Sequence, residues 1–275
     1  MRIVSALVIL LALFLSSCQK ELNWDDGSNG DLLVKAIQVT PATNDTNTIT
    51  FQWDNARRLL LYKSTGKVNG TTADISHQVI RYPDGTIKKI ITKSAITAAF
   101  IDSVVSVPVY SASRLSYVID TQYTLIGQLR DSIAFSYNPS GYVSEKETFT
   151  NILGTPISIA KETYAYDANG NLTERKVYTP DGVGGYTFTL QTKFTYDTHK
   201  SAAFMGEESY IGLGAENVSK NFLVQSITDD VIGSTSYSTS FTQTSFNDYN
   251  RPAKSTLTLI PNPPGYEMKL FYSYI

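Results

Sequence analysis

Apolar and polar side chains alternate along much of this chain. Phe188, Leu190, Thr192, Phe194 and Tyr196 take every second position, with Thr187, Thr189, Gln191, Lys193 and Thr195 between them. Ile133, Phe135 and Tyr137 alternate in the same way with Ser132, Ala134 and Ser136, and Met268, Leu270, Tyr272 and Tyr274 share one face of the closing segment. A period of two predicts half-buried strands, because successive side chains of a strand point to opposite faces. Helical periodicity is scarce; Ala95 to Val105 fits a helical turn or two, and a strand as well. Eighteen Tyr and twelve Phe, with much Thr, Ser and Val, strengthen the preference for strands.

Turn signals punctuate the strands. Asp84-Gly85 and Asn169-Gly170 are hairpin dipeptides, because Gly and Asn reach positive φ at little cost. Asp181-Gly182 and Gly184-Gly185 turn the chain at the other end of a unit. An aromatic residue followed by such a turn recurs with anchors at Trp53, Tyr82, Tyr110, Tyr137, Tyr166, Tyr196 and Phe246. All intervals fall between 27 and 30 residues except the last, of 50, which reads as one period carrying an insertion of about 20 residues. Each unit is then strand, tight turn, strand, looser turn. Seven units predict roughly 12 to 16 strands in an antiparallel meander, with Gly141 and Gly170 at positive φ.

The Tyr-Asp-x-x-Gly-x-Leu pattern, clearest at Tyr166-Asp167-Ala168-Asn169-Gly170-Asn171-Leu172, resembles the YD repeats of RHS proteins. The Gly-Arg-Leu segment of those repeats is mostly absent, and the chain is far shorter than the RHS shells that enclose toxins. Phe194-Thr195-Tyr196-Asp197, Gly212-Leu213-Gly214 and Glu216-Asn217-Val218-Ser219-Lys220 resemble a Bacteroidetes lipoprotein domain of unknown function described as porin-like. That resemblance covers most of residues 35–275. It implies a long antiparallel sheet curled toward a barrel, and it implies no activity. The expected fold is therefore all-β: a long meander of repeated hairpins forming a curled open sheet or an incomplete barrel.

The N-terminus adds a location. Met1-Arg2 is followed by an apolar run from Ile3 to Leu15 and then by Leu15-Ser16-Ser17-Cys18. A basic start, a short apolar core and small residues before a cut site describe a secretory signal rather than a spanning helix, which needs about 20 apolar residues. Leu-Ser-Ser-Cys resembles the lipobox of bacterial lipoproteins, which implies cleavage before Cys18 and lipid attached to it. Cys18 is the single cysteine of the chain, so it has no internal disulfide partner, and lipidation accounts for it. Two or more acyl chains hold a protein stably at a membrane. Residues 18–30 read as a lipidated cysteine and flexible linker, rich in Asn, Asp, Gly and Ser. Gln19-Lys20-Glu21 resembles the export signal that routes Bacteroidetes lipoproteins to the cell surface; a solvated acidic linker is the other reading. The division expected is signal peptide 1–17, anchor and linker 18–30, and one β-domain 31–275, at the outer membrane and exposed on the cell surface.

Charge and chemistry mostly exclude. Removing residues 1–17 deletes one Arg and leaves 22 basic and 25 acidic residues, a net charge of −3. That is no nucleic-acid footprint. His77 and His199 have no further ligands at metal spacing, and no cofactor is expected. Asp167 to Asn171 lacks the ligand set of a calcium loop. Glu207-Glu208 and Asp229-Asp230 are acidic neighbours, but adjacent strand residues face opposite ways, so neither pair is a facing dyad. No serine elbow, phosphate loop or dinucleotide fingerprint occurs. The chain is expected to be non-catalytic, its partners being the membrane through Cys18 and a glycan, a peptide or an envelope protein. Tyr142, Tyr186 and Tyr210 stand outside the anchor positions and are the candidate contact residues. An assembly scaffold for an outer-membrane complex and an undetected glycoside hydrolase are the alternatives. Charge interrupts the apolar faces, as in Leu172, Glu174, Lys176, Tyr178, which predicts a water-exposed domain with Phe135, Phe188, Leu190 and Phe194 in its interior.

Overall fold

A computed structural model describes residues 32–95, 101–152, 155–260 and 267–275. The signal, Cys18 and the linker lie outside these residues, as do residues 96–100 of the ambiguous Ala95–Val105 segment. That segment continues as strand from Ile101.

Strands make up most of the described residues. The first half holds β1 (Leu33–Thr40), β2 (Asp45–Trp53), β3 (Leu59–Val68), the two-residue β4 (Thr71–Thr72), β5 (Ile75–Arg81), β6 (Ile87–Ser94), β7 (Ile101–Ser111), β8 (Arg114–Thr124) and β9 (Gly127–Tyr137). The second half holds β10 (Val143–Ile152), β11 (Thr155–Tyr166), β12 (Leu172–Pro180), β13 (Tyr186–Lys200), β14 (Asn221–Asp230), β15 (Thr235–Phe246), β16 (Pro252–Ile260) and β17 (Glu267–Tyr274). Each pairs antiparallel with its neighbour in sequence, β4 adding only a short extension to β3.

The sheet closes. β1 pairs with β2 through Lys35–Thr50 to Thr40–Asp45 and with β17 through Leu33–Tyr274 to Val39–Lys269. Sixteen strands thus form a closed barrel, and the expectation of a curled open sheet or incomplete barrel is corrected. Closure satisfies the backbone groups that two open edges would expose, which a local reading of hairpins does not weigh.

The 20 residues between β13 and β14, residues 201–220, carry a π-helical turn (Ser209–Leu213) and a 3-10 turn (Ala215–Val218). This insertion identifies the inner face of the wall. Tyr210 packs edge-on against Tyr164 of β11, and Gly212 lies beside the His77 ring of β5. Strands so far apart around the ring can be touched by three successive residues only from inside. The face of His77 and Tyr164 is therefore the lumen. It also carries Tyr62, opposite His77, and Glu162, two positions from Tyr164. The core is the zone between wall and insertion: Leu59, Ile87, Leu115, Val143 and Leu172 from the wall meet Met205, Tyr210, Ile211 and Val218 from the insertion.

Of the four side chains expected inside, Phe135 is buried, Phe194 packs partly buried against the core, and Leu190 sits opposite Val177 on the lumen face. Phe188 is a correction. A bulge at Thr189 breaks the alternation of β13, so Phe188 pairs with Tyr178 on the outer face, their rings 5.5 Å apart.

Candidate functional site: the plugged end of the barrel

The repeat of the sequence is the architecture of one barrel end. Trp53 pairs with Leu59, Arg81 with Ile87, Tyr110 with Leu115, Tyr137 with Val143, Tyr166 with Leu172 and Phe246 with Pro252. In each hairpin a one-residue bulge follows the aliphatic partner, at Leu60, Lys88, Ser116, Ser144, Thr173 and Ala253. The bulge resets the alternation, so both the aliphatic residue and the one three positions on point inward: Leu59 and Tyr62, Ile87 and Ile90, Leu115 and Val118. This spacing of three is the sequence signal that a strict search for period two misses.

Four of these turns share one geometry. The backbone of Asp54, Asn138, Asp167 and Asn247 donates to the carbonyl four residues on, and the amide three residues on donates back. The third residue on takes positive φ: Arg57 at 62°, Gly141 at 87°, Gly170 at 85° and Asn250 at 64°. The side-chain Oδ1 of Asp54, Asp167 and Asn247 accepts from the amides two and four residues on, which explains Asp or Asn after the aromatic. The turn at Tyr82-Pro83-Asp84-Gly85 has the same backbone bonds but begins at Tyr82 itself. The register therefore makes Arg81, not Tyr82, the anchor of that hairpin, and Tyr82 is left exposed.

The polar anchors tie their hairpins to the ones before. Trp53 Nε1 donates to Leu33 O at 2.8 Å, Arg81 Nη2 to Leu59 O at 3.3 Å, Tyr137 Oη to Leu115 O at 2.7 Å, Tyr166 Oη to Val143 O at 2.9 Å and Tyr274 Oη to Pro252 O at 2.8 Å. Tyr110 Oη instead accepts from Ile87 N at 3.1 Å. Tyr196 reaches the backbone of Leu172 through Ser219, whose hydroxyl donates to Tyr196 and accepts from Leu172 N. The polar anchors thus bond backbone groups of the residues that flank the bulges.

The insertion plugs this end by bonding the anchors. Glu208 pairs with Arg81, both nearly buried. Glu207 accepts from Tyr110 Oη at 2.9 Å, and Tyr210 Oη lies 2.7 Å from Tyr166 Oη. Burial raises the Tyr166 and Tyr210 phenols well above the usual range, so both stay protonated. A pocket of about 260 Å³ remains between residues 204–210 of the plug and the turns of the first four hairpins at this end, lined by Arg58, Arg81, Arg114, Asp84, Glu207 and Tyr137 among others.

The three candidate tyrosines are not brought together. Tyr142 stacks on Tyr166 with ring centroids 4.8 Å apart, and its hydroxyl covers Gly170. Tyr210 is buried in the plug and reaches the pocket wall. Tyr186 stands at the opposite end of the wall, on the outer face, bonded to Glu147 and to Ser158 with Lys161 5.5 Å from its ring centroid. Glu207 and Glu208 lie in the plug and not on a strand, and their side chains part there, one to Tyr110 and one to Arg81. His77 Nδ1 lies 2.8 Å from the Thr92 hydroxyl, and burial holds its imidazole down at about 4. His199 stacks on Phe246 with centroids 3.5 Å apart and meets Asp197 at 2.7 Å. Among the described residues no group of three or more His, Cys, Asp or Glu is placed to hold a metal. A feature that the sequence reading missed is Asp120 facing Asp131 across β8 and β9. Burial, and secondarily the charge of Asp131, raise the Asp120 carboxyl.

The fold has counterparts among solved structures. A porin-like protein from Bacteroides uniformis matches with a TM-score of 0.54 and 11% identity, over 88% of this chain and 96% of that one. A porin-like protein from Bacteroides vulgatus matches with a TM-score of 0.55 and 11% identity, over 89% of this chain and 99% of that one. The fold is porin-like. At this identity the likeness is one of fold, and it agrees with the porin-like resemblance read from residues 194–220. No protein-family model matches the chain, and no curated protein matches it in sequence. The porin-like barrel here departs from an aqueous channel, which sixteen strands are wide enough to enclose, because the insertion occupies one end of its lumen.

Proposed function

We propose that the chain is a lipid-anchored, non-catalytic protein of the bacterial outer membrane: a plugged porin-like barrel whose wall stands in water and whose plugged end binds a ligand. One observation carries the reading. Glu145, Glu147, Lys161, Glu174 and Lys176 occupy the outer face of β10, β11 and β12, opposite in parity to the lumen residues Lys146, Glu162 and Arg175. Lys161 bonds Glu145 at 2.7 Å and Lys176 bonds Glu174 at 2.7 Å, well inside their strands. Each lysine would cost about 2–4 kcal/mol facing lipid at mid-bilayer, so a wall of this kind belongs in water. The anchor is then Cys18. Leu32, which exchanges backbone hydrogen bonds with Ile275, leaves the wall at the plugged end, so anchoring would turn that end toward the lipid. Gln19-Lys20-Glu21 supports exposure on the cell surface.

Residues 31–275 expressed without the anchor test the wall: monodisperse, β-rich protein in detergent-free buffer is expected, and a strict detergent requirement refutes it. Cys18→Ala tests the anchor, which fails if the variant fractionates with membranes unchanged. Surface exposure predicts loss of the intact protein when whole cells are treated with protease. A scaffold for an outer-membrane complex is the second reading. It is favoured by an outward apolar sector on β7 and β8, where Val105, Val107 and Val109 stand opposite Thr121, Ile119 and Tyr117. Chemical crosslinking in intact cells would capture its partner at that sector.

A further inference from the structure

The pocket at the plugged end has a buried apolar floor, made by Leu59, Ile87 and Leu115, and a rim that includes exposed Arg114 and Asp84. Three arginines of its lining are not equivalent. Arg81 is held by Glu208, and Arg58 binds Asp54 through both Nε and Nη2. Arg114 sits 5.5 Å over the Tyr137 ring and has no carboxylate partner among the described residues. It is a cation in place, oriented by an aromatic face, at the mouth of a pocket.

We propose that this pocket binds a carboxylate-bearing monosaccharide, with Arg114 taking the carboxylate. The proposal deepens the ligand-binding reading above. A guanidinium presents two parallel N–H donors that match a carboxylate. Asp84 and Glu207, in the same lining, carry acceptor oxygens for hydroxyl groups. Those two carboxylates also repel a dianion, which favours a singly charged ligand over a phosphate. The volume of about 260 Å³ suits one sugar ring and little more.

The test uses the full-length protein in detergent micelles and isothermal titration with D-galacturonate and D-glucuronate. D-galactose, acetate and inorganic phosphate serve as comparisons. Saturable binding of a hexuronate is expected, with galactose and acetate each at least tenfold weaker. Arg114→Ala should weaken uronate binding at least tenfold while leaving the tryptophan fluorescence and the unfolding midpoint unchanged, and Arg114→Lys should recover part of the loss. Absence of hexuronate binding overturns the proposal, as does galactose binding equally well or an Arg114→Ala variant of unchanged affinity. Phosphate binding as tightly as the uronates overturns the carboxylate class. A protein that passes the anchor and solubility tests yet fails here loses the pocket assignment alone.

Discussion

Removing Arg81 is the sharpest test of how the plug is held. Arg81 occupies the anchor position that most other hairpins at this end give to an aromatic, and it does three things there. Its Nη1 donates to Gly85 O at 3.0 Å, its Nη2 to Leu59 O at 3.3 Å, and it pairs with Glu208 of the plug. The side chains of Arg81 and Glu208 are 11% and 5% exposed. The small values typical of surface ion pairs therefore do not apply. Arg81→Ala leaves a carboxylate enclosed by wall and plug without its cation, and breaking a buried pair in this way costs about 3–5 kcal/mol. Glu208→Gln strands the arginine instead, but Arg81 keeps its two carbonyls, so the loss should be smaller. The double variant should recover much of the single loss, giving a coupling of about 2 kcal/mol or more. Urea unfolding followed by Trp53 fluorescence reads this end directly, because Trp53 Nε1 is bonded to Leu33 O at the same ring of hairpins. The sequence has only one other tryptophan, Trp24, which the 31–275 form lacks. If the plug detaches before the wall melts, the loss will appear as faster proteolysis within residues 201–220 rather than as a shifted midpoint. A cost below about 1 kcal/mol with unchanged protease resistance would refute the pairing as the lock of the plug.

Two further outcomes follow from the geometry. Gly170 and Gly182 have nearly the same positive φ, 85° and 81°, but a Cβ on Gly170 would overlap the Tyr142 hydroxyl whereas one on Gly182 meets nothing within 4 Å. Gly182→Ala should therefore lose only the backbone strain, about 1 kcal/mol, and Gly170→Ala clearly more; equal losses in urea unfolding would remove the steric argument. His77 is buried neutral, its imidazole held at about 4 against a usual 6.5. Because its folded pKa is depressed, the unfolded chain binds the extra proton between these values, and stability falls as pH drops from about 6.5 toward 4. The histidine should account for about 2–3 kcal/mol of that loss, and a His77→Gln variant whose stability falls as steeply as the parent's would refute it.

Local structure was legible in the residues alone. Period two in segments such as 132–137 and 187–196 made strands, and Asp or Asn followed by Gly made turns, because side-chain direction and φ are properties of a few consecutive residues. The interval between anchors located the hairpins and the insertion of about 20 residues, and Gly141 and Gly170 have the positive φ their turns demanded. The tertiary structure decided what those elements do together. Closure depends on β1 meeting β17, residues more than 220 apart in sequence, and on strand number and stagger being compatible around the whole ring. Most anchors were legible as aromatics, but their partners were not: Trp53, Arg81, Tyr137, Tyr166 and Tyr274 each reach a backbone carbonyl 20 residues or more away. Arg81 was hidden because Tyr82 mimics the motif one residue late, and only the pairing of Arg81 with Ile87 reveals which side chain faces the plug. Phe188 was misplaced for a related reason, since a single bulge residue inverts the face of everything beyond it. Whether a period-two face looks into a lumen or out of it is set by curvature and by what fills the centre. Neither is a property of any one strand.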